Sequence, residues 1–415
     1  MSEGTRRQAR RDVIAAFADS VSARSLAGAS REFRLVAACC RPPSETRARA
    51  ISAAAEGVDW ACVLKLAERH RVFGHLRDGL AQARVAPPPA VAATLATRVA
   101  AMTRRNLRLA SETARLARAF RDQGIDAVFL KGATLEALAY RSLSIKHSLD
   151  IDIFVVPADV GRARTLLEQM DYVGDPPLPP HGGAQIELIA AIGKEWPFRS
   201  AANGVSVDLH WRLSDSDRLF GDRLLSSSRR MVAVGGVDTP TFCAGDLFAY
   251  LCAHGAQHFW CRLKWLADLA ALLAREEADV ESLYRAAEAA GAARSAAEAL
   301  ILCETLLALE LPQALSARLR GRATLVRLSL SLTAILGGGA TDLSGRRIRH
   351  LLDLVSLLLP ADGPGSRLQE LRRHLILPVD VAAVPLPRRM SWLYIALRAP
   401  LWLGRRIGAR RARKG

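Results

Sequence analysis

Two aspartates inside an apolar, β-branched segment constrain this chain more than any other feature of its sequence. The segment at 149–155 reads LDIDIFV and contains Asp150 and Asp152, although aspartate is depleted in strands. Successive strand side chains point to opposite faces, so the two carboxylates share one face while the isoleucines face a core. Like charges roughly 6–7 Å apart repel unless a positive group lies between them. The pattern therefore indicates a divalent cation at this strand; a solvent-facing edge strand is the plainer alternative.

Three further features favour the cation. The stretch LKGA at 130–133 ends a short apolar strand and leads into a predicted helix, and its glycine lets backbone amides approach a phosphate. Asp208 lies in a second predicted strand, VSVDLHW, and can supply a third carboxylate. Lys131 and Lys146 flank the acidic pair in a chain with only six lysines. Ordinary surface charge is the alternative for both lysines.

Hydrophobic periodicity predicts an α+β protein, in which a small mixed-sheet unit is embedded between mostly helical regions. One amphipathic helix is predicted over 58–82, and a long helix runs from about 90 to 123 before a glycine. Asn203-Gly204 between two apolar runs indicates a β-hairpin. Beyond about residue 245 the pattern is helical to about 375. The predicted domains are an N-terminal helical region (1–105), the α/β unit (106–238), a C-terminal helical domain (239–380) and a basic aromatic tail (381–415).

Charge and cysteine usage bear on location and partners. The net charge is +17, but nine Arg or Lys and no acid follow Pro387, so about half of the excess lies in the tail. The chain shows no strong nucleic-acid motif. The tail also contains tryptophans, which leaves open weak contact with an anionic membrane or, as the favoured alternative, a packed helix with a disordered basic end. The sequence has seven cysteines without a CxxC pair, no signal-peptide layout and no long apolar run. These features predict a reduced, cytoplasmic protein. The tail could place this protein at the periphery of the inner membrane.

The order of these motifs resembles the polymerase-beta-type nucleotidyltransferase superfamily. That pattern is a glycine at a strand end, a helix, two aspartates in a strand and an aspartate in a later strand, here Gly132, Asp150, Asp152 and Asp208. More specifically, the chain resembles an uncharacterised bacterial nucleotidyltransferase family. The matching residues are LKG at 130–132, Leu135, Tyr140, Lys146 or His147, DIDIFV at 150–155, VDLHW at 207–211 and a helical segment at 251–270. The resemblance spans roughly residues 55–275.

The resemblance implies a Mg²⁺-dependent nucleotidyltransferase. Asp150 and Asp152 would bind Mg²⁺ on a nucleoside triphosphate, with ATP the first candidate, and Asp208 would bind a second metal or act as a base. The acceptor, which is unknown, attacks the α-phosphate in line and pyrophosphate leaves. The family suggests a bacterial biosynthetic pathway. The residues expected to contact the nucleotide are Lys131, Gly132, Ala133, Lys146, His210 and Lys264.

Two departures from the pattern keep an alternative open. Ala133 stands where the superfamily has serine or glycine, and Lys146 or His147 stands where the family has arginine. Both favour a nucleotide-binding or regulatory module with weak or no turnover. A glycosyltransferase using DxD fits less well because the nucleotide-binding half before the motif is too short. His254 and His258 share a helix face and could ligate a metal, line the cleft or form a structural pair; Lys264 is spaced for an ion pair with Asp268.

Overall fold

The computed structural model describes residues 28–179, 184–214, 219–221, 228–336 and 376–411. It contains a five-stranded mixed sheet together with many helices, which confirms the predicted α+β class. The chain forms two compact units that do not follow the order of the sequence. The first comprises Met1–Arg115, Phe129–Leu149 and Arg218–His350; the second comprises Leu116–Val128, Asp150–Asp217 and Leu351–Gly415. The domain boundaries expected from the sequence stay a prediction.

The described part of the first unit starts with four short helices, and capping side chains set the start of three of them. The four helices are Arg31–Cys39, Glu45–Ala55, Trp60–His70 and Phe73–Gln82. Ser30, Ser44 and Asp59 each accept a hydrogen bond from a backbone amide of the first turn, as N-caps do. The single helix predicted over 58–82 is wrong, because Arg71 adopts a left-handed conformation (φ 57°) and ends the third helix. The long helix is confirmed as Pro89–Asp122, which ends just before Gly124 at φ 60°.

The segment after Phe129 departs from the single helix predicted to follow LKGA at 130–133. An α-helical turn, Ala133–Leu135, passes into a π-helix, Glu136–Tyr140, and Arg141 ends it in a left-handed conformation. Single-turn π-helices are rare and occur often at functional sites. The residues that follow, 142–149, run without regular secondary structure up to the strand that carries the aspartates.

Most of the remaining first unit is helical, as predicted. The helices are Ala244–Gln257, Leu263–Leu273, Val280–Ala289, Ala293–Leu307, Gln313–Leu319 and Arg322–Leu336; the predicted helix beyond residue 336 lies outside the described residues until 376. One hairpin was missed, β6 (Arg229–Val234) with β7 (Val237–Phe242). Its signal was present in the sequence, since Gly235-Gly236 lies between two apolar runs and both glycines have positive φ.

The second unit contains the five-stranded sheet except for Phe129, the last residue of its first strand. Its strands are β1 (Ala127–Phe129), β2 (Ile151–Val155), β3 (Tyr172–Gly174), β4 (Glu195–Ser200) and β5 (Ser206–His210), in the spatial order β1-β2-β5-β4-β3. β5 pairs with β2 in parallel and with β4 in antiparallel orientation. The hairpin predicted at Asn203-Gly204 is confirmed, since it joins β4 to β5. The helices of this unit are Val160–Gln169, Ala184–Ile192, Pro378–Ala383 and Leu393–Arg411.

Candidate functional site

The strand pairing brings aspartates from distant parts of the sequence side by side. In the parallel pair of β2 and β5, Asp152 lies opposite Asp208, and Phe154 lies opposite His210. Residues opposite one another point to the same face of a sheet, and neighbouring strands are about 4.8 Å apart. Asp152 and Asp208 therefore meet on one face, and Asp150, which immediately precedes β2, lies close enough for its charge to affect Asp208. This is the adjacency that the sequence predicted for Asp208.

A buried histidine joins this group. His210 Nε2 lies 3.1 Å from Asp152 Oδ1, and its Nδ1 lies 3.0 Å from Glu195 Oε2. Burial alone would lower the pKa of His210, but the hydrogen bonds to Asp152 and Glu195 outweigh it and raise the pKa to about 9. The imidazole is therefore cationic at neutral pH and lies between two carboxylates.

Glu195 is a site residue that the sequence prediction missed. It lies opposite His210 in the antiparallel pair of β4 and β5, and it also contacts Lys194 Nζ at 2.6 Å. Burial opposes its ionisation, but the hydrogen bond to His210 and the charge of Lys194 lower its pKa. The only sequence signal was an acidic residue at the start of a strand, and the pairing register was needed to place it beside His210.

Negative charge is concentrated around Asp208. Burial and then the charges of Asp152 and Asp150 raise the pKa of Asp208 to about 7, although the positive charge of His210 opposes the shift. Such crowding of carboxylates is unfavourable unless a cation neutralises it. The group therefore has the electrostatic character expected of a cation site.

The donor atoms fit a metal ion. One ligand atom each from Asp152, Asp208 and His210 lies within 4.8 Å of the other two, and it is the one such cluster among the residues that the structure describes. Hard ions such as Mg²⁺ prefer carboxylate oxygens, which the two aspartates supply. His210 Nε2 contacts Asp152 at 3.1 Å, so His210 either orients this carboxylate or, with that nitrogen unprotonated, offers it to a metal as a ligand.

The predicted basic residue Lys146 is not on the surface. It lies in the first unit, is 5 % exposed, and its Nζ is 3.3 Å from Asp268 Oδ2. Tyr140 donates to Asp268 Oδ1 at 2.9 Å, and its hydroxyl is 3.1 Å from His75 Nε2. Lys146, Asp268, Tyr140 and His75 thus form a buried polar network. Asp268 makes its ion pair with Lys146 rather than with Lys264, the partner that helix spacing suggested.

The turn at Gly132 has a backbone conformation that favours glycine. Gly132 has φ 73° and ψ −125°, a region that is strained for any other residue. Ala133 is 6 % exposed, and its methyl group packs with Ala110 and Val234. Its side chain is therefore part of the core. Lys131, which precedes the turn, is partly buried.

Lys264 lies in a basic environment within the first unit. Burial and the charge of Lys146 lower its pKa to about 7, with Lys131 and Arg71 adding to the effect and Asp268 opposing it. Burial and the charges of Lys264 and Arg105 likewise lower the pKa of His147 to about 3. The positive charges of Lys146, Lys131 and Arg71 near Lys264 give this part of the first unit a basic character.

His254 and His258 pack edge to face in an aromatic cluster with Trp265. Their rings lie 4.8 Å apart, and His258 stacks on Trp265 at 4.9 Å with an interplanar angle of 9°. Packing of these rings against one another explains why both histidines lie on the same face of the helix. Neither residue is part of the metal-binding group described above.

Comparison with known proteins adds one match. A family model described as an uncharacterised nucleotidyltransferase matches residues 56–308. A search of curated proteins returned no match. The matched range includes the carboxylates on β2 and β5, the glycine turn and the basic residues of the first unit. Among the described residues, every helix is too short or too polar to span a bilayer.

Proposed function

This chain belongs to the uncharacterised nucleotidyltransferase family, and from that premise we propose that it transfers a nucleotidyl group from a nucleoside triphosphate to an acceptor, with Mg²⁺ as the metal. ATP is the first triphosphate to test. The proposed setting is a biosynthetic pathway in the cytoplasm of a bacterium. The proposed catalytic residues are Asp150, Asp152 and Asp208, and His210 and Glu195 are proposed to position them.

The observation that carries this proposal is the register of β2 and β5. It places Asp208 opposite Asp152 on one face of the sheet, with a ligand atom of His210 within 4.8 Å. Paired carboxylates on adjacent strands suit phosphoryl chemistry, in which negative charge must be neutralised and the reacting oxygens held in line. Bound Mg²⁺ would supply that neutralisation and orient both oxygens.

Each residue of the site has a distinct proposed part. Asp150 and Asp152 hold the metal that accompanies the triphosphate. Asp208 either holds a second metal or accepts the proton of the attacking hydroxyl. Its pKa of about 7 is near the pH at which a general base works best. His210, bonded to Asp152 and Glu195, is a positioning residue that fixes the orientation of the Asp152 carboxylate.

For the first unit we propose a role in binding phosphate oxygens. Lys131 and Lys264 are the candidates for direct contact, since their charges are close enough to affect each other. Gly132 and Ala133 offer backbone amides only. Lys146 contributes through the electric field, because its ammonium group is bonded to Asp268.

The first experiment measures nucleotide binding by calorimetry with ATP, GTP, CTP and UTP, with and without Mg²⁺. At least one triphosphate should bind more tightly with Mg²⁺, and the double variant Asp150→Asn/Asp152→Asn should lose that dependence. Asp238→Asn is the matched control, since Asp238 is an exposed aspartate on β7. Equal Mg²⁺-dependent binding by the double variant would refute the metal assignment.

A nucleotide-binding module without turnover is the second candidate. The observation in its favour is at Ala133, which has no hydroxyl to offer a phosphate, while the hydroxyl of Thr134 donates to the backbone carbonyls of Phe129 and Lys131. Measuring pyrophosphate release from a bound triphosphate, in the presence of candidate hydroxyl acceptors, distinguishes a transferase from a binding module without turnover. Tight Mg²⁺-dependent binding with no pyrophosphate release for any acceptor tried would favour the module.

A further inference from the structure

The C-terminal helix of the second unit presents large apolar side chains to solvent. Trp392, just before the helix Leu393–Arg411, is 63 % exposed, and Ile395, Trp402 and Leu403 are 44 %, 44 % and 52 % exposed. At about 100° per residue, the last three fall within one arc of roughly 100° on the helix. These four residues are called here the apolar tail face.

A different face of the same helix packs against the protein. Tyr394 is fully buried, its hydroxyl donates to the Val384 carbonyl at 2.7 Å, and it accepts from the Leu386 amide at 3.2 Å. Tyr394 lies about 100° around the helix from Ile395. The helix is therefore attached by one side while the apolar tail face points outward.

The positive charge of this region indicates which kind of partner it would bind. Residues 388–415 contain nine Arg or Lys and no Asp or Glu, so a partner with an anionic surface is favoured. Ile395 and Leu403 gain nothing from a nucleic-acid backbone, and aliphatic side chains do not stack on bases as aromatic ones do. A bilayer surface with anionic lipids accepts aliphatic residues, tryptophans and cations together.

We propose that the apolar tail face docks the protein on an anionic membrane surface. In the docked state Trp392, Ile395, Trp402 and Leu403 lie at the level of the headgroups and upper acyl chains, and the basic residues contact anionic lipid headgroups. The helix lies in the plane of the surface, as amphipathic interfacial helices do. This inference is independent of nucleotidyl transfer and stands or falls on vesicle binding alone.

The test is co-sedimentation of the full chain with vesicles of phosphatidylglycerol and phosphatidylcholine, compared with vesicles of phosphatidylcholine alone. Binding to the anionic vesicles should exceed binding to the neutral ones and fall with added salt. Arg405→Gln/Arg406→Gln should weaken it by roughly fivefold for each charge removed. Arg104→Gln/Arg108→Gln removes the same charge from exposed positions on the long helix and should bind as the unaltered chain does.

The apolar contribution is tested by Trp392→Ser/Trp402→Ser. Both side chains are exposed, so this variant should still unfold cooperatively on heating while losing most of its vesicle binding. A chain that ends at Pro387 would also lose buried Tyr394, so the point variants are the sharper test. Equal pelleting with anionic and neutral vesicles, or unchanged binding by the two tail variants, would overturn the proposal. Salt-dependent binding to RNA with no binding to vesicles would do so as well and would indicate a nucleic-acid surface.

Discussion

His210 is the residue on which the electrostatics of the site depend. Its two nitrogens lie 3.1 Å from Asp152 and 3.0 Å from Glu195, so it supplies a positive charge between two carboxylates. A metal at this site would share Asp152 with His210. The contact with His210 holds the Asp152 carboxylate in one orientation, which would lower the cost of ordering the site around the metal.

We expect substitution of Asp208 to lower the turnover number more than it lowers the affinity for the nucleotide. If this carboxylate activates the acceptor, Asp208→Asn should lower kcat by a hundredfold or more, on the order of a general base, while the nucleotide Kd changes little. Steady-state kinetics and calorimetry on the same preparation measure both. An equal loss of nucleotide binding would place Asp208 in the first metal site, and full activity would reject both roles.

The buried carboxyl group of Glu136 should make the free energy of unfolding depend on pH. It is 1 % exposed, and burial raises its pKa to about 7 against the opposing effects of Lys146 and Ser148. Between the ordinary carboxyl pKa and this value the folded protein binds more protons than the unfolded chain, so stability falls as pH rises through this window. Glu136→Gln should remove that loss and raise the free energy of unfolding at pH 8, by up to about 3 kcal/mol, with little effect at pH 4.5.

Thermal unfolding across this pH range provides the measurement, and Glu310→Gln, at an exposed position, is the control. A Glu136→Gln variant that follows the same pH profile as the unaltered chain would show that this carboxyl does not titrate in the window.

Among the elements, the irregular segment 142–149 is notable because it leads directly into β2. Asn106 Nδ2 donates to the carbonyls of Leu143 and Lys146 at 2.8 and 2.7 Å. Gly74 lies so close that a Cβ there would meet the Ile145 carbonyl oxygen at 2.3 Å. The segment therefore has a defined path although it has no regular secondary structure.

The Lys146–Asp268 pair should stabilise this path measurably. Lys146→Met leaves a buried carboxylate without its cation and should cost about 3–5 kcal/mol. Lys146→Met/Asp268→Leu should recover only part of this loss, because it also removes the acceptor of the Tyr140 hydroxyl. Denaturant unfolding of both single variants and the double variant gives the coupling free energy. The exposed pair Glu45–Arg49, at 3.8 Å, is the matched control and should couple by only a few tenths of a kcal/mol. No recovery in the double variant would show that Lys146 acts through packing instead of charge.

For the whole molecule, the metal should act as a stabilising ligand. The carboxylates repel one another without a cation, so we expect Mg²⁺ to bind the folded protein in preference to the unfolded chain. At a concentration about a hundredfold above Kd, this stabilises the fold by roughly 2.7 kcal/mol. Thermal unfolding with Mg²⁺ and with a chelator measures the shift. Asp152→Asn/Asp208→Asn should abolish it, and a shift that persists in this variant would place the ion elsewhere.

Local patterns in the sequence determined the elements and the chemistry of the candidate site. Alternation within 149–155 indicated β2 and the shared face of Asp150 and Asp152, and Asn203-Gly204 indicated the hairpin to β5. These inferences hold because strand alternation and turn conformation depend on a few neighbouring residues. The family resemblance of these motifs is confirmed by the match over residues 56–308.

Only the tertiary structure decided which distant residues meet. A two-residue turn at Asn203-Gly204 would pair His210 with Pro197, but the five residues 201–205 connect the strands, and Glu195 is the partner instead. Lys146 was expected to flank the acidic pair, yet it bonds to Asp268, more than a hundred residues away. Register shifts and long-range ion pairs depend on how whole elements pack, and short-range periodicity contains no information about that packing.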